Sequence, residues 1–132
     1  MTEAADAVGV VEAFLAAFNA GDLVALRGRL ADDAVALVTG PDGEPFEMSG
    51  AQAYVDAVAA MNLPAVDYSL ALTQAPVPVD DGLVLAMVQV RARRDGRSLH
   101  NYAAHLLRVV DGRIARLWMV EAKPAESDRF WA

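Results

Sequence analysis

The sequence contains no cysteine. It therefore cannot form a disulfide, a thiolate metal site or a cysteine nucleophile. The chain also lacks a long apolar run, and its first residues carry no basic segment. These absences argue against a signal peptide and a membrane span, so we expect a cytoplasmic protein that does not bind membranes.

Positive charge is scarce, with 11 Lys and Arg against 18 Asp and Glu and a net charge of -7. This balance works against nucleic acid binding, because phosphates repel an acidic protein. Most basic residues lie after residue 82, and their excess centres on Arg91, Arg93, Arg94 and Arg97. A solvated hairpin end is the simpler interpretation of this cluster, and an anion-binding surface is the alternative.

Motifs for metals, phosphates and serine nucleophiles are also missing. The two histidines, His100 and His105, fall on opposite faces of one predicted strand, so they cannot bind one ion within a protomer. No glycine-rich phosphate loop is present, and Ser49 and Ser69 have no neighbouring histidine in the sequence. We therefore expect neither a metal nor a cofactor.

Three Asp-Gly pairs organise the second half of the chain, at residues 81–82, 95–96 and 111–112. Asp-Gly tolerates the positive φ angles of tight hairpin turns. The stretches that follow the pairs are rich in strand-forming residues. They predict three long antiparallel strands at Leu83–Arg94, Arg97–Val110 and Arg113–Ala122.

The first half is mainly helical. Apolar residues at helical spacing predict a first helix with Thr2 as N-cap, ended by Gly21, and Asp22 caps a second. Ser49 and Gln52 fit a capping box for a third helix, which runs to about Asn62. Strands are predicted at 34–39, 46–48 and 66–73, and residues 123–132 are expected to form a polar tail. The order ααβ(β)αββββ indicates a single α+β domain over residues 1–132.

Three segments carry a resemblance to a known family. Ala13–Asp22 looks like its first helix and Asn-x-Gly-Asp ending, residues 30–35 like the entry to its first strand, and residues 111–114 like its last hairpin. With them, the chain resembles the NTF2-like superfamily, in its SnoaL-like and ketosteroid-isomerase-like branch. The resemblance implies three N-terminal helices packed in a curved, mainly antiparallel sheet, forming a cone around an apolar pocket.

The residues of ketosteroid isomerases are not preserved here. That resemblance places the general base at Val38, the oxyanion-hole tyrosine at Phe14 and the oxyanion-hole acid at His105. Neither valine nor phenylalanine can transfer a proton or donate a hydrogen bond. We therefore expect no ketosteroid isomerase mechanism, and His105 is the remaining titratable group.

The candidate catalytic residues are His105 and Glu121, which should face the pocket within direct or one-water reach of each other. Histidine titrates near neutral pH, and burial raises the pKa of a carboxyl. The alternatives are a neutral buried histidine and a strand-end acid paired with Lys123 or Arg129. The candidate ligand-binding residues, for an apolar small molecule, are Phe14, Phe18, Tyr54, Val58, Asn101 and Met119.

The outer sheet face should carry Tyr102, Leu106 and Trp118, an apolar patch that a homodimer would bury. Two functions stay open. One is a cofactor-free isomerase, cyclase or hydrolase that uses acid/base chemistry on an apolar carbonyl or epoxide compound. The other is a non-catalytic ligand-binding or dimerisation domain of the same fold, which a pocket with few polar groups would favour.

Overall fold

The computed structural model describes residues 3–40 and 42–132. The predicted N-cap Thr2 lies outside them. The elements are α1 (Glu3–Ala20), α2 (Leu23–Gly28), β1 (Leu30–Thr39), β2 (Pro45–Ser49), α3 (Ala51–Met61), a 3-10 turn (Leu63–Val66), β3 (Ser69–Leu72), β4 (Val77–Asp80), β5 (Leu83–Arg94), β6 (Arg97–Val110), β7 (Arg113–Glu121) and α4 (Pro124–Trp131). No helix in these ranges is long and apolar enough to cross a membrane.

The three Asp-Gly pairs connect β4 to β5, β5 to β6 and β6 to β7, as the sequence predicts. In the second and third turns both residues have positive φ, at 48° and 76° for Asp95 and Gly96 and at 51° and 78° for Asp111 and Gly112. This backbone matches the right-handed twist of the flanking strands. The second turn therefore sets the register of β5 with β6, the two longest strands.

The strands form one mixed sheet in the order β2-β1-β7-β6-β5-β3, and β4 also pairs with β5. Only β1 and β7 run parallel among the described pairs; the others are antiparallel. Register shifts interrupt β1–β7, β4–β5 and β6–β7. Such irregularities bend strands and increase twist, which lets the sheet curve around the helices.

The core lies between the inner sheet face and the first three helices. Alternate residues of β5 and β6 are buried, including Val84, Val88 and Leu107 at 0% exposure. On α1, Val11 and Phe14 are also fully buried and belong to the same cluster. The α+β prediction, with three helices against a curved and mainly antiparallel sheet, is confirmed.

Several local predictions were wrong. Gly50, with φ of 96°, is the N-cap of α3, and Ser49 Oγ instead donates to Glu47 Oε2 at 3.2 Å. The strand expected over 66–73 is shorter, because Leu63–Val66 forms a 3-10 turn and Asp67 has a positive φ. β4 was not predicted; its Pro78 is tolerated because β4 lies at the sheet margin.

The largest correction concerns the expected polar tail, which forms helix α4. Pro124 stands in its first turn, where the missing N–H is harmless. Phe130 is 3% exposed and packs with Val66, Ala92 and Leu99 in a second core cluster. The polar composition of this segment led to the wrong prediction, because the helix is held in place mainly by one buried aromatic side chain, that of Phe130.

Candidate functional site

A cavity of about 70 Å³ lies between the inner sheet face, the chain around the 3-10 turn, and α4. Polar side chains in its wall come from Tyr68, Asn101, His105, Glu121 and Ser127. Apolar side chains come from Met61, Leu70, Val90, Leu99, Met119 and Trp131. The cavity wall is therefore partly polar, whereas the resemblance implies an apolar pocket. Its size suits a few waters or one small functional group, since drug-sized ligands need about 300 Å³ or more.

His105 reaches this cavity from the middle of β6. Its strand neighbours in the same row are Ala86 on β5 and Met119 on β7. The residue is 8% exposed, and within the described part of the chain Nδ1 has no hydrogen-bond partner. Burial lowers the pKa of His105 from 6.5 to about 4, because desolvation penalises the imidazolium form. At neutral pH this side chain is an uncharged imidazole.

Glu121 is the last residue of β7, where the strand reaches α4. Its Oε1 accepts a hydrogen bond of 3.1 Å from Ser127 Oγ. Burial raises the pKa of Glu121, and the hydrogen bond from Ser127 opposes that rise by stabilising the carboxylate. Burial is the larger of the two effects, so this carboxyl binds a proton more tightly than a solvated one.

Tyr68 is a third titratable group in the cavity wall, and sequence reasoning missed it as a site residue. Burial is the main cause of the raised pKa of Tyr68, and the negative charge of Glu121 raises it further. Its ring packs against Phe18 with centroids 5.7 Å apart. The phenol therefore stays protonated and can donate a hydrogen bond.

The structure brings His105 and Glu121 to the same cavity, but no hydrogen bond joins them. Glu121 lies opposite Ala103, two positions along β6 from His105. Diagonal neighbours of this kind have Cα atoms roughly 7–8 Å apart. Neither side chain hydrogen-bonds directly to the other, and the carboxyl bonds Ser127 instead. Of the two expected geometries, direct or one-water reach, a direct hydrogen bond is not formed, and one-water reach stays a prediction.

Asn101 borders the cavity, but most of its amide serves the structure. Oδ1 accepts from the backbone N–H of Tyr102 at 2.9 Å and of Lys123 at 3.0 Å. Nδ2 donates to the Lys123 carbonyl at 3.1 Å. These bonds fix the chain between β7 and α4, which leaves one N–H of Asn101 for a ligand.

The other predicted ligand-binding residues divide between the cavity wall and the core. Met119 lines the cavity, whereas Phe14, Phe18, Tyr54 and Val58 do not. Phe14 and Tyr54 stack within the core at 6.0 Å, and Val58 is buried beside them. Burial raises the pKa of Tyr54. Helical periodicity alone could not show which helical residues reach the cavity.

Ser127 and Trp131 are site residues that sequence reasoning missed, because residues 123–132 were expected to be a tail. Their four-residue spacing places both on one face of α4. A proline followed by seven residues ending in Phe130-Trp131 is the signal that could have revealed this helix.

A metal centre is not supported by the geometry. Within residues 3–40 and 42–132, no group of three His, Cys, Asp or Glu side chains is arranged to hold an ion.

Together, the three helices and the curved sheet define a protein of the NTF2-like fold. The family model for the SnoaL-like domain matches residues 11–117, and the chain belongs to this family. The uncharacterized protein Rv0034 of Mycobacterium tuberculosis is 35% identical over the full length of both chains. The family and fold predictions are thereby confirmed.

Solved structures agree with the fold. Bal32a, from a soil-derived mobile gene cassette, superposes with a TM-score of 0.88 at 21% identity, covering 99% of this chain and all of Bal32a. An LEH-like epoxide hydrolase of M. tuberculosis superposes with a TM-score of 0.75 at 20% identity, covering 95% of this chain and 91% of the hydrolase. At these identities the similarity establishes the architecture.

Proposed function

We propose that the protein is a cofactor-free enzyme that uses acid/base chemistry on a small carbonyl or epoxide compound. The observation that carries this proposal is the grouping of three titratable side chains in one cavity, with Glu121 raised in pKa and His105 and Tyr68 held neutral. Environments that shift pKa values in this way are typical of catalytic sites.

Glu121 is assigned as the main proton acceptor and donor. A raised pKa makes it a stronger base than an ordinary carboxylate, whereas a histidine with a pKa of about 4 is a weak base at pH 7. His105 is therefore assigned as a neutral hydrogen-bond partner for the substrate oxygen. A neutral imidazole that polarises a carbonyl has a known precedent in another enzyme.

In the carbonyl reaction, the Glu121 carboxylate takes a proton from the carbon beside the carbonyl. The electron pair of that C–H bond moves to the carbonyl oxygen, which receives hydrogen bonds from His105 or Tyr68. When the compound carries a β,γ double bond, return of the proton from Glu121 to the γ carbon re-forms the C=O bond and moves the double bond next to it, which completes an isomerisation. In the epoxide reaction, Glu121 instead takes a proton from a water whose oxygen attacks the ring carbon. The C–O bond of the ring breaks, and the resulting alkoxide takes up the proton that Glu121 accepted, which gives a diol.

The test is proton exchange between small ketones or aldehydes and D₂O, together with hydration of small epoxides, followed by NMR. Glu121→Gln should reduce the rate by about 100-fold or more, the usual contribution of a positioned acid or base. Glu126→Gln, at an exposed carboxyl on α4, is the matched control and should keep the rate. Equal rates in Glu121→Gln and wild type would exclude the carboxyl.

The second candidate is a non-catalytic binding domain, and the cavity size favours it. A volume of about 70 Å³ is small for a whole substrate. In this case small carbonyl compounds would bind, with chemical shift changes at residues lining the cavity, and no exchange or hydration would exceed the rate in buffer.

We also propose that two copies associate through the outer sheet face. Tyr102, Leu106 and Trp118 are only half-buried there, and Val120 is 51% exposed. The Arg116 guanidinium lies 5.2 Å from the centroid of the Trp118 ring, so this surface combines apolar and cationic groups. A symmetric dimer would remove these side chains from water.

A further inference from the structure

Helix α4 is held at its C-terminal end by two arginines from the β5–β6 hairpin. Arg97 Nη1 donates to the Arg129 carbonyl at 3.0 Å, and Arg94 Nη1 donates to the Trp131 carbonyl at 3.3 Å and the Phe130 carbonyl at 3.5 Å. The last carbonyls of a helix have no partner within it and carry partial negative charge. These two cations therefore stabilise the end of α4.

The neighbouring arginines of the same cluster do something different. Strand alternation sends Arg91 and Arg93 to the outer face, where they pair in register with His100 and Ser98 and are exposed. Arg94 and Arg97 lie opposite each other on the inner side, beneath α4. The basic cluster is thus divided between two faces, and only its inner half contacts the helix.

The same helix supplies the hydroxyl that contacts Glu121. Ser127 is 7% exposed, and its Oγ donates to Glu121 Oε1 at 3.1 Å, while Trp131 lines the cavity four residues later. An isolated helix of eight residues is marginal in water, so its position depends on tertiary contacts. Any contact that fixes α4 also fixes Ser127 against the carboxyl.

We propose that Ser127 is a positioning residue for Glu121 and that Arg94 and Arg97 hold α4 in the place that makes this contact possible. The inference rests on the proposed function for its catalytic meaning, because it assigns to α4 the orientation of the acid/base group. It gives the inner arginines a role in the site without direct contact with the substrate.

The first test measures hydrogen exchange of residues 124–132 in the double variant Arg94→Gln/Arg97→Gln. Loss of two charge–helix contacts should make these amides exchange about tenfold faster. Arg91→Gln/Arg93→Gln removes the same charge from the outer face and should exchange at the wild-type rate. Equal exchange rates in the two double variants would refute the role of Arg94 and Arg97 in holding α4. The variant Arg94→Lys/Arg97→Lys keeps both charges and should retain much of the wild-type protection.

The second test follows the titration of the Glu121 carboxyl by carbon NMR in Ser127→Ala. Removing a donor that stabilises the carboxylate should raise the pKa of Glu121 further. Ser98→Ala, at an exposed hairpin serine, should leave it unchanged. A pKa that stays constant or falls in Ser127→Ala would overturn the positioning role.

Both measurements are made on the protein without a substrate. They therefore remain decisive if no turnover is found. If Ser127→Ala shifts the titration of Glu121 but Glu121→Gln keeps the wild-type rate of substrate proton exchange, the positioning role stands and the proposed function is refuted. If Ser127→Ala leaves the titration unchanged but Glu121→Gln loses the substrate reaction, the proposed function stands and the role of α4 is refuted.

Discussion

Acid should destabilise this protein through His105. The folded-state pKa of about 4 lies below the ordinary value of 6.5, so between these values the unfolded chain binds more protons than the native one. Stability is thus fully present above about pH 6.5 and falls as the pH drops. The slope approaches about 1.4 kcal/mol per pH unit, and the complete shift corresponds to about 3 kcal/mol.

Urea unfolding at pH values from 7.5 down to 4.5 measures this effect. Glu121 acts in the opposite direction, because its raised pKa gives stability below the ordinary carboxyl value that is lost as the pH rises. Comparison of wild type with His105→Gln separates the two, since both proteins retain Glu121. The free energy of unfolding of the variant should lack the His105 slope, whatever its absolute value at pH 7.5.

His100→Gln is the matched control, because His100 lies on the outer face and contacts Gln89 Oε1 at 3.0 Å. Between pH 7.5 and 4.5, the free energy of unfolding of His100→Gln should change by the same amount as that of wild type. If the wild-type and His105→Gln curves run parallel through this range, His105 is not buried in its neutral form. The argument for a neutral imidazole in the cavity would then be refuted, and a histidine NMR titration would show the same result directly.

Three other predictions concern assembly, specificity and a turn. Trp118→Arg should convert a dimer to a monomer or aggregate by light scattering, and an unchanged dimer mass would exclude the outer face. Turnover of a Δ5-3-ketosteroid should be negligible, because Val38 cannot act as the base of a ketosteroid isomerase and a cavity of about 70 Å³ is too small for a steroid. Rapid isomerisation would contradict these assignments. Gly82→Ala should destabilise more than Gly96→Ala in urea unfolding. Both have positive φ, an effect of about 1–2 kcal/mol for alanine, but only at Gly82 would a Cβ lie 2.6 Å from a backbone oxygen, that of Val109. Equal losses of stability in the two variants would mean that the backbone near Gly82 shifts to accommodate the added Cβ.

The sequence predicts the sheet better than the site because turns and alternation are local properties. Asp95-Gly96 and Asp111-Gly112 each specify a reversal through their own backbone preferences. Period-two alternation then places His105 on the inner face with Leu107. These features require no knowledge of distant residues, so the register of β5 with β6 follows from the chain itself, whereas an irregularity two residues from the last turn shifts the register of β6 with β7.

The cavity wall depends on contacts between distant segments. Tyr68 reaches the cavity from a bend after the 3-10 turn, and Ser127 reaches it from α4. Neither position follows from periodicity, because α4 is polar on most of its surface and depends on Phe130 for its anchorage. Tyr54 shows the opposite error: its helical spacing is regular, but its ring packs with Phe14 in the core.

The position of Glu121 explains how one carboxyl can combine burial with access. It ends β7, so its backbone belongs to the rigid sheet, while its side chain meets α4. Deep within the strand, next to Leu117, the same side chain would be enclosed by the core and unable to meet a substrate. Beyond α4 it would be solvated and keep an ordinary pKa. The boundary between sheet and helix therefore leaves Glu121 half-buried, and Ser127 of α4 opposes the rise that burial causes in its pKa.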